Sequence, residues 1–179
     1  MNKLLFLLMF YCLCYIEAQA QNSYIKNRWN FKACFSSLKD EIQYQGLSIS
    51  KSVKNYRIEV NYGVMNKVET GVYLGYSFLN EWGRFTNIPF YGINTNFHLF
   101  PFFVSKDNFR FDLYLSGKFG GYYVITSDNY RQQGNFFDYG AYVGGGFYLL
   151  KHVGAFVEIG YGKKINLLYG LTFKFKKKI

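Results

Sequence analysis

Apolar and polar residues alternate with a period of two along most of the chain. In residues 56–64, large apolar side chains at the even positions alternate with Arg, Glu, Asn and Gly at the odd ones. Because successive side chains of a β-strand point to opposite faces, this period indicates strands with one apolar and one polar face. The alternation resumes over residues 68–78 after Asn66 and Lys67, which predicts a β-hairpin.

The pattern predicts eight strands, at residues 29–36, 56–64, 68–78, 90–99, 109–123, 137–149, 153–161 and 165–175. The connections alternate in length. They are long at 39–54, 80–88 and 126–135, and shorter at 66–67, 101–108 and 151–152; the last connection, 162–164, is short for the long-loop end. An even number of antiparallel strands with short turns at one end and longer loops at the other is typical of outer-membrane barrels. We expect the first long loop to extend as a hairpin above the membrane.

The composition agrees with an all-β protein of one domain. Of 179 residues, 50% are hydrophobic and 22% aromatic, with 18 Gly and only 2 Pro. Aromatic residues favour strands, and Gly serves turns and close approaches. Beyond the N-terminus no run of about eighteen apolar residues occurs, which excludes a helical membrane protein. The predicted fold is an eight-stranded antiparallel up-and-down transmembrane β-barrel.

Residues 1–20 have the features of a cleaved secretory signal. Lys3 provides the positive charge, residues 4–15 form the apolar segment, and Ala18-Gln19-Ala20 is a small-x-small cleavage site, so cleavage is expected between Ala20 and Gln21. Residues 21–179 then form the barrel domain. The bulky residues before Cys12 and Cys14 argue against lipid attachment. Cys34 is the one cysteine left in the mature chain, which excludes an internal disulfide and a cysteine-based metal site.

The two faces of the predicted strands differ in side-chain size. One face carries nearly all the bulky aliphatic and aromatic residues, and the other is rich in Gly, Asn, Ser and charge. An eight-stranded barrel has room inside for only a modest filling of side chains, so we expect the bulky face to contact lipid. The weaker alternative is a soluble periplasmic barrel with the apolar face inside and a ligand in its cavity.

The inward positions carry five basic and five acidic residues, which predicts a neutral charge network that fills the lumen. A buried charge without a partner is costly, whereas a paired network fixes the register of a narrow interior. The predicted network consists of Lys32, Arg57, Glu59, Glu69, Arg110, Asp112, Lys118, Asp138, Glu158 and Lys174.

The net charge of +10 must therefore lie on the rims, loops and tail. At the short-turn end we expect lipid phosphates to contact Lys26, Arg28, Lys67, Lys106, Lys151 and Lys176–Lys178. At the long-loop end we expect lipopolysaccharide phosphates to contact Lys39, Lys51, Lys54, Arg84, Arg131, Lys163 and Lys164. Because these lipids account for the basic charge of an exported chain, nucleic acid is not an expected partner.

In this plan the chain resembles the small eight-stranded outer-membrane β-barrels of Gram-negative bacteria, similar to OmpX and to the membrane domain of OmpA. The resemblance covers the whole mature chain and implies location in the outer membrane. Gly170, Phe173 and Phe175 resemble the C-terminal glycine and alternating aromatics that the barrel-assembly machinery reads as an insertion signal in that family. Family members usually end at the terminal aromatic, whereas this chain continues with Lys176–Ile179.

The predicted function is non-enzymatic: a structural or surface-interaction protein, expected to be a monomer without cofactor or metal, whose loops contact a partner. A water channel needs about sixteen strands, which argues against a porin. The first alternative is a lipid A-modifying enzyme, for which His98 and His152 are the candidate bases. We expect His98 to be a hydrogen-bonding residue of the lumen. The second alternative is an accessory barrel of a secretion or assembly machine.

Overall fold

The computed structural model is a closed barrel of eight antiparallel strands joined in chain order, which confirms the predicted fold class. It describes residues 25–44, 47–81, 84–99, 110–126, 134–150, 152–162 and 165–176. The strands are β1 Arg28–Tyr44, β2 Leu47–Gly63, β3 Val68–Glu81, β4 Arg84–His98, β5 Phe111–Thr126, β6 Gly134–Tyr148, β7 Val153–Gly162 and β8 Ile165–Lys176. The predicted leader and its cleavage site lie outside these residues. No helix in the described ranges is long and apolar enough to span a bilayer.

The strands are strongly tilted against the barrel axis. Starting at Trp29 and moving from each residue to its partner on the next strand, the path passes through Tyr62, Thr70, Thr95, Gly117, Ala141, Tyr161 and Ile165. When the β1–β8 register is continued by four residues, Ile165 is opposite Lys39, so the path returns to β1 ten residues from its start. A shear of ten residues over eight strands corresponds to a tilt of about 40°. The interior of such a barrel is narrow, so inward side chains from non-adjacent strands meet across it.

The apolar face points outward, as the alternation predicts. Ile58 and Leu74, which are paired across β2 and β3, are 63% and 66% exposed. Glu59, the residue after Ile58, is 0% exposed. Trp29, Phe111 and Phe175 are exposed near the short-turn end of the barrel. Exposed tyrosines lie toward the other end, at positions 56, 76, 91, 123, 139 and 161. Two belts of aromatic residues at the ends of an apolar band are typical of a barrel that spans a membrane.

The first four strands run further than their sequence pattern indicates. Pairing of β1 with β2 continues to Tyr44 and Leu47, and pairing of β3 with β4 continues to Glu81 and Arg84. Residues 39–44, 47–54, 80–81 and 84–88 are therefore strand, and the prediction that they are loops was wrong, although the expected hairpin is present. Above a membrane both faces of a strand meet water, so the apolar period that marks a strand in lipid is no longer needed.

Within the strand pairing of the described residues, the upper part of the β1–β2 hairpin has no neighbour on either side. Pairing of β1 with β8 ends at Phe35, and pairing of β2 with β3 begins at Lys54. Residues 36–44 and 47–53 are thus paired with each other alone, and we call them the ribbon. At about 3.3 Å per residue, the ribbon extends roughly 30 Å past the end of the β1–β8 ladder. By contrast, β7 and β8 stop at Gly162 and Ile165, so the barrel wall is lowest beside the ribbon.

Inward tyrosine rings pack on glycines of neighbouring strands. A Cβ added at Gly144 would overlap the Tyr114 ring, and one added at Gly160 would overlap the Tyr142 ring. Gly117, on the outward face, has open space around the same position, with nothing within 4 Å. The inner glycines are therefore needed because they let large rings lie flat against the wall of a narrow lumen.

Candidate functional site

A central cluster of charges fills the lumen at mid-height. Lys32 Nζ lies 2.8 Å from Glu158 Oε1 and 4.0 Å from Glu59 Oε2. Lys118 Nζ forms an ion pair with Glu59 Oε1 and lies 2.8 Å from Glu158 Oε2. The Tyr114 hydroxyl donates a hydrogen bond of 2.7 Å to Glu158 Oε1. The two lysines thus bridge the two carboxylates, and all four side chains are buried.

A second cluster lies nearer the short-turn end, around Glu69. Arg28 donates from Nε and Nη2 to Glu69 Oε1, at 3.2 and 2.5 Å. Asn30 Nδ2 donates to the other carboxylate oxygen at 3.1 Å, and the Asn30 side-chain oxygen accepts from the Thr172 hydroxyl at 2.7 Å. The two-pronged arginine contact and the amide fix this carboxylate on both of its oxygens.

His98 connects Glu69 to a fourth carboxylate of the lumen, Asp112. His98 Nδ1 lies 2.8 Å from Asp112 Oδ1, and His98 Nε2 lies 3.3 Å from Glu69 Oε2. Lys174 Nζ donates to the other oxygen of Asp112 at 3.0 Å and lies 3.4 Å from the centre of the Tyr148 ring. Both ring nitrogens of His98 therefore face carboxylates, in a position with 1% exposure.

These contacts join residues that are far apart in the chain. Lys32 and Glu158 are separated by 126 residues, and Lys118 and Glu59 by 59. Transfer of charges into a low-dielectric interior is costly, and close pairing with additional hydrogen bonds compensates for that cost. The arrangement therefore connects strands that are not neighbours in the sheet.

The lumen above the central cluster is lined differently. Arg57 lies against two aromatic rings, with its guanidinium carbon 4.9 Å from the centre of Tyr73 and 5.2 Å from that of Phe90. Its nearest carboxylate is Glu59, at 3.5 Å. Beyond Arg57, the inner face of β4–β6 carries Phe90, Tyr122 and Phe136, and Tyr122 is paired with Phe90 on one side and with Phe136 on the other.

The structure places most of the predicted charge network inside the barrel. Seven of its ten members are buried, Arg57 is nearly so, and Asp138 is half-buried. Arg110 is exposed, so its assignment to the lumen was wrong. It precedes the first residue of β5, where the alternation of inward and outward side chains does not apply.

Arg28 is a lumen residue that sequence reasoning missed, because it was expected at the short-turn rim. Lys67, expected at the same rim, is also buried, with 1% exposure, so the prediction that these two side chains contact lipid phosphates was wrong. Arg28 is 7% exposed and paired with Glu69. Its position two residues before Asn30 and four before Lys32, both inward, was the signal that could have identified it. With Arg28 in place of Arg110, this set of ten still has five charges of each sign, and Lys67 adds a further buried cation among the described residues.

The predicted C-terminal insertion signal lies on β8 beside β1. Gly170 faces Cys34, and a Cβ there would meet the Ala33 carbonyl. Phe173 is paired with Phe31, and Phe175 with Trp29. Recognition of these residues by an assembly machine stays a prediction. Lys177–Ile179 lie outside the described residues.

The described residues contain no group of His, Cys, Asp and Glu that could hold a metal ion. Cys34 is a buried, free thiol. His152, the second histidine, is exposed in the turn before β7, where its Nδ1 lies 2.9 Å from the Lys174 carbonyl oxygen. The two histidines are therefore in separate surroundings, and only His98 belongs to the lumen clusters.

Comparison with known proteins gives similarity of fold. No protein-family model matches the chain, and no curated protein matches it in sequence. The structure is similar to Neisserial surface protein A, with a TM-score of 0.59 and 12% identity over 83% of this chain and 96% of that one. It is similar to the N-terminal barrel domain of Pseudomonas aeruginosa OprF, with a TM-score of 0.57 and 14% identity over 84% and 99%.

A third similar structure is Ail of Yersinia pestis, the attachment invasion locus protein, which has also been solved with the heparin analogue sucrose octasulfate. The comparison with the ligand-free structure of Ail gives a TM-score of 0.55 and 11% identity, over 84% of this chain and all of Ail. The chain therefore has the fold of small eight-stranded outer-membrane barrels, in agreement with the predicted resemblance. At these identities the likeness concerns the fold alone.

Proposed function

We propose that the protein is a non-enzymatic surface protein of the outer membrane, in which the barrel is a closed anchor and the ribbon contacts a partner outside the cell. The observation that carries this proposal is the strand register. The ribbon extends past β8 and β3, its neighbours on the two sides, so that it stands above the rim as a two-stranded element.

The ribbon has two open β-edges. A strand edge presents unpaired backbone N–H and C=O groups, to which an extended segment of another protein can add as a further strand. Residues 36–44 of β1 form the longer of these edges, next to the low wall of β7 and β8. A partner that approaches from that side meets the edge without having to pass over another strand.

The lumen contacts support an anchor in preference to a channel. Lys32, Lys118, Glu59 and Glu158 meet at mid-height, and Arg28, Glu69, His98, Asp112 and Lys174 form a second layer nearer the short-turn end. Two successive layers of buried, mutually paired side chains leave the interior filled, as expected for eight strands. In this proposal the layers are structural, and binding takes place at the surface.

The long-loop end also suggests the chemistry of a surface ligand. Seven basic residues belong to that end of the sequence: Lys39, Lys51, Lys54, Arg84, Arg131, Lys163 and Lys164. Ail, which shares the fold, has been crystallised with a sulfated heparin analogue. We include in the proposal that anionic saccharides, among them phosphorylated lipopolysaccharide, are bound at this end.

The experiment compares bacteria that display the full chain with two shortened variants. In one, a two-residue turn replaces residues 38–52 of the ribbon; in the control, such a turn replaces residues 80–85 at the tip of β3 and β4. Each strain is applied to immobilised heparin and to cultured epithelial cells. Loss of the ribbon should reduce retention at least fivefold, and the control should retain cells like the full chain.

Both variants must first be shown to sediment with the outer membrane and to migrate differently on gels before and after boiling. A ribbon variant that forms this heat-shifted barrel and still retains cells at the full level would refute the surface role. A full-length protein that stays soluble would refute the membrane anchor itself.

A lipid A-modifying enzyme is the second candidate, because Asp112 and His98 form the acid–histidine pair that a nucleophilic enzyme uses. The opposing observation is that Glu69 occupies the other side of the imidazole ring, inside the lumen and away from lipid. Mass spectrometry of lipid A from cells with and without the protein tests this candidate. A change that His98→Gln abolishes, in a correctly inserted barrel, would establish it over the anchor.

A further inference from the structure

The upper lumen has aromatic side chains along one wall. Phe90, Tyr122 and Phe136 occupy directly opposed positions on β4, β5 and β6. The Tyr122 and Phe136 rings are stacked, with centres 5.2 Å apart and planes 18° apart. Tyr122 lies on the same face of β5 as the buried residues Lys118 and Val124, so its side chain points inward. Phe90 and Phe136 are paired with Tyr122 and therefore lie on the same face of the sheet. The three form a row of aromatic residues at neighbouring positions across three strands.

The outer end of this row is accessible from the extracellular mouth. Phe136 is 37% exposed although it points into the barrel, and Phe90 and Tyr122 are partly exposed. Phe137, the residue after Phe136 in β6, is 47% exposed on the opposite, lipid-facing side. An inward aromatic surface that faces water has no role in holding lipid, and exposed apolar surface of this kind commonly marks a binding site.

Arg57 lies at the inner end of the row. Its side chain is only 10% exposed, yet its Nε and Nη1 atoms have no hydrogen-bond partner among the described residues. Glu59, its nearest carboxylate, is shared with Lys118 and Lys32. Arg57 therefore shares its nearest carboxylate with two lysines, and two of its guanidinium nitrogens have no hydrogen-bond partner in the described part of the chain. Buried arginine donors are strongly favoured partners for carboxylate and phosphate oxygens.

We propose that the upper lumen binds a small aromatic anion, with its ring against the Phe90–Tyr122–Phe136 row and its acidic group at Arg57. Stacking on the row supplies apolar contact, and Arg57 selects for negative charge. The site is separate from the ribbon and from its proposed partner, so the two proposals do not depend on each other. The charged layers below Arg57 close the site toward the periplasm, which makes it a pocket that opens outward.

The test uses the full mature barrel in lipid nanodiscs and two probes, 2-naphthoate and its neutral counterpart 2-naphthalenemethanol. Dissociation constants are measured by titration calorimetry. We expect the wild-type barrel to bind naphthoate at least tenfold more tightly than the alcohol. Arg57→Gln should remove this preference and leave the affinity for the alcohol within twofold, whereas Phe136→Ala should weaken both probes by a similar factor.

Phe137→Ala is the matched control, because it removes the same side chain from the adjacent, lipid-facing position. It should leave both affinities unchanged. Equal effects of the two phenylalanine variants would show that the probes enter the lipid and would overturn the proposal. Equal affinity of the wild-type barrel for acid and alcohol would also overturn it, and that measurement needs no variant to fold.

Discussion

The lower and upper halves of the lumen are lined by different kinds of side chains. The lower half is filled by charges that contact one another at 2.5–3.3 Å, among them Arg28 with Glu69 and His98 with Asp112. The upper half is lined on one side by aromatic rings, of which Phe136 remains partly open to water. A part of the interior whose polar groups satisfy one another is suited to stability, and a part that is left open is suited to binding.

This difference follows from how much water can reach each half of the lumen. At mid-membrane no water is available to satisfy a polar group, so each inward charge needs a protein partner. Toward the extracellular mouth water can enter, and the inward side chains can be apolar or incompletely paired at a smaller cost. Arg57 lies at the boundary, with Glu59 on one side and the rings of Tyr73 and Phe90 on the other.

The largest expected effect tests the central cluster. Glu158→Ala removes the carboxylate that Lys32 and Lys118 share, and it leaves two buried ammonium groups with Glu59 alone. Removal of one partner from a buried ionic cluster costs about 3–5 kcal/mol, so the free energy of unfolding should fall by that amount. Reversible urea unfolding in lipid vesicles, followed by tryptophan fluorescence, measures it. An effect below about 1 kcal/mol would mean that this layer does not hold the barrel together.

The second prediction compares two arginines whose places the sequence and the structure assign differently. Arg28→Ala removes both donors to Glu69 Oε1 inside the lumen, whereas Arg110→Ala changes an exposed side chain before β5. We expect a loss of about 2–4 kcal/mol for the first. The second should stay within about 0.5 kcal/mol. The same unfolding experiment applies, and equal effects would place Arg110 in the lumen after all.

The faces and the order of the strands could be predicted from the sequence because lipid imposes a strict period of two. Ile58 and Glu59 are assigned to opposite faces by position alone, and the structure agrees. The ends of β1 and β2 could not be predicted in this way, because above the membrane both faces are in water. Arg110 shows the same limit at the other end of the barrel, where a strand begins.

The partners within the charge network could not be predicted either. Period two assigns Lys32 and Glu158 to the inside, but their contact across 126 residues depends on the shear of the closed barrel, which sequence alternation does not encode. The aromatic row was missed for a related reason. Phe136 lies outside the predicted sixth strand, at 137–149, and its stacking on Tyr122 requires the register of β5 with β6.

A third prediction concerns the glycines that make room for inward rings. Gly144→Val places a branched side chain where the Tyr114 ring lies, and the ring must leave both Gly144 and its hydrogen bond to Glu158. Overpacking of this kind costs about 1–3 kcal/mol. Gly117→Val is the control, because that position faces outward into open space and should be neutral or mildly stabilising. A similar loss in both variants would point to backbone strain as the cause and not to the filled lower lumen.

The smallest expected effect belongs to the upper lumen. Phe136→Ala removes a partly exposed ring that stacks on Tyr122, and it breaks no ion pair of the charged layers. The lost apolar burial corresponds to about 1 kcal/mol or less of unfolding free energy, well below the loss expected for Glu158→Ala. The two variants, unfolded under the same conditions, compare the halves of the lumen directly. A loss for Phe136→Ala as large as that for Glu158→Ala would show that the aromatic row is part of the stabilising core, and the upper lumen would then no longer stand apart as the half left open for binding.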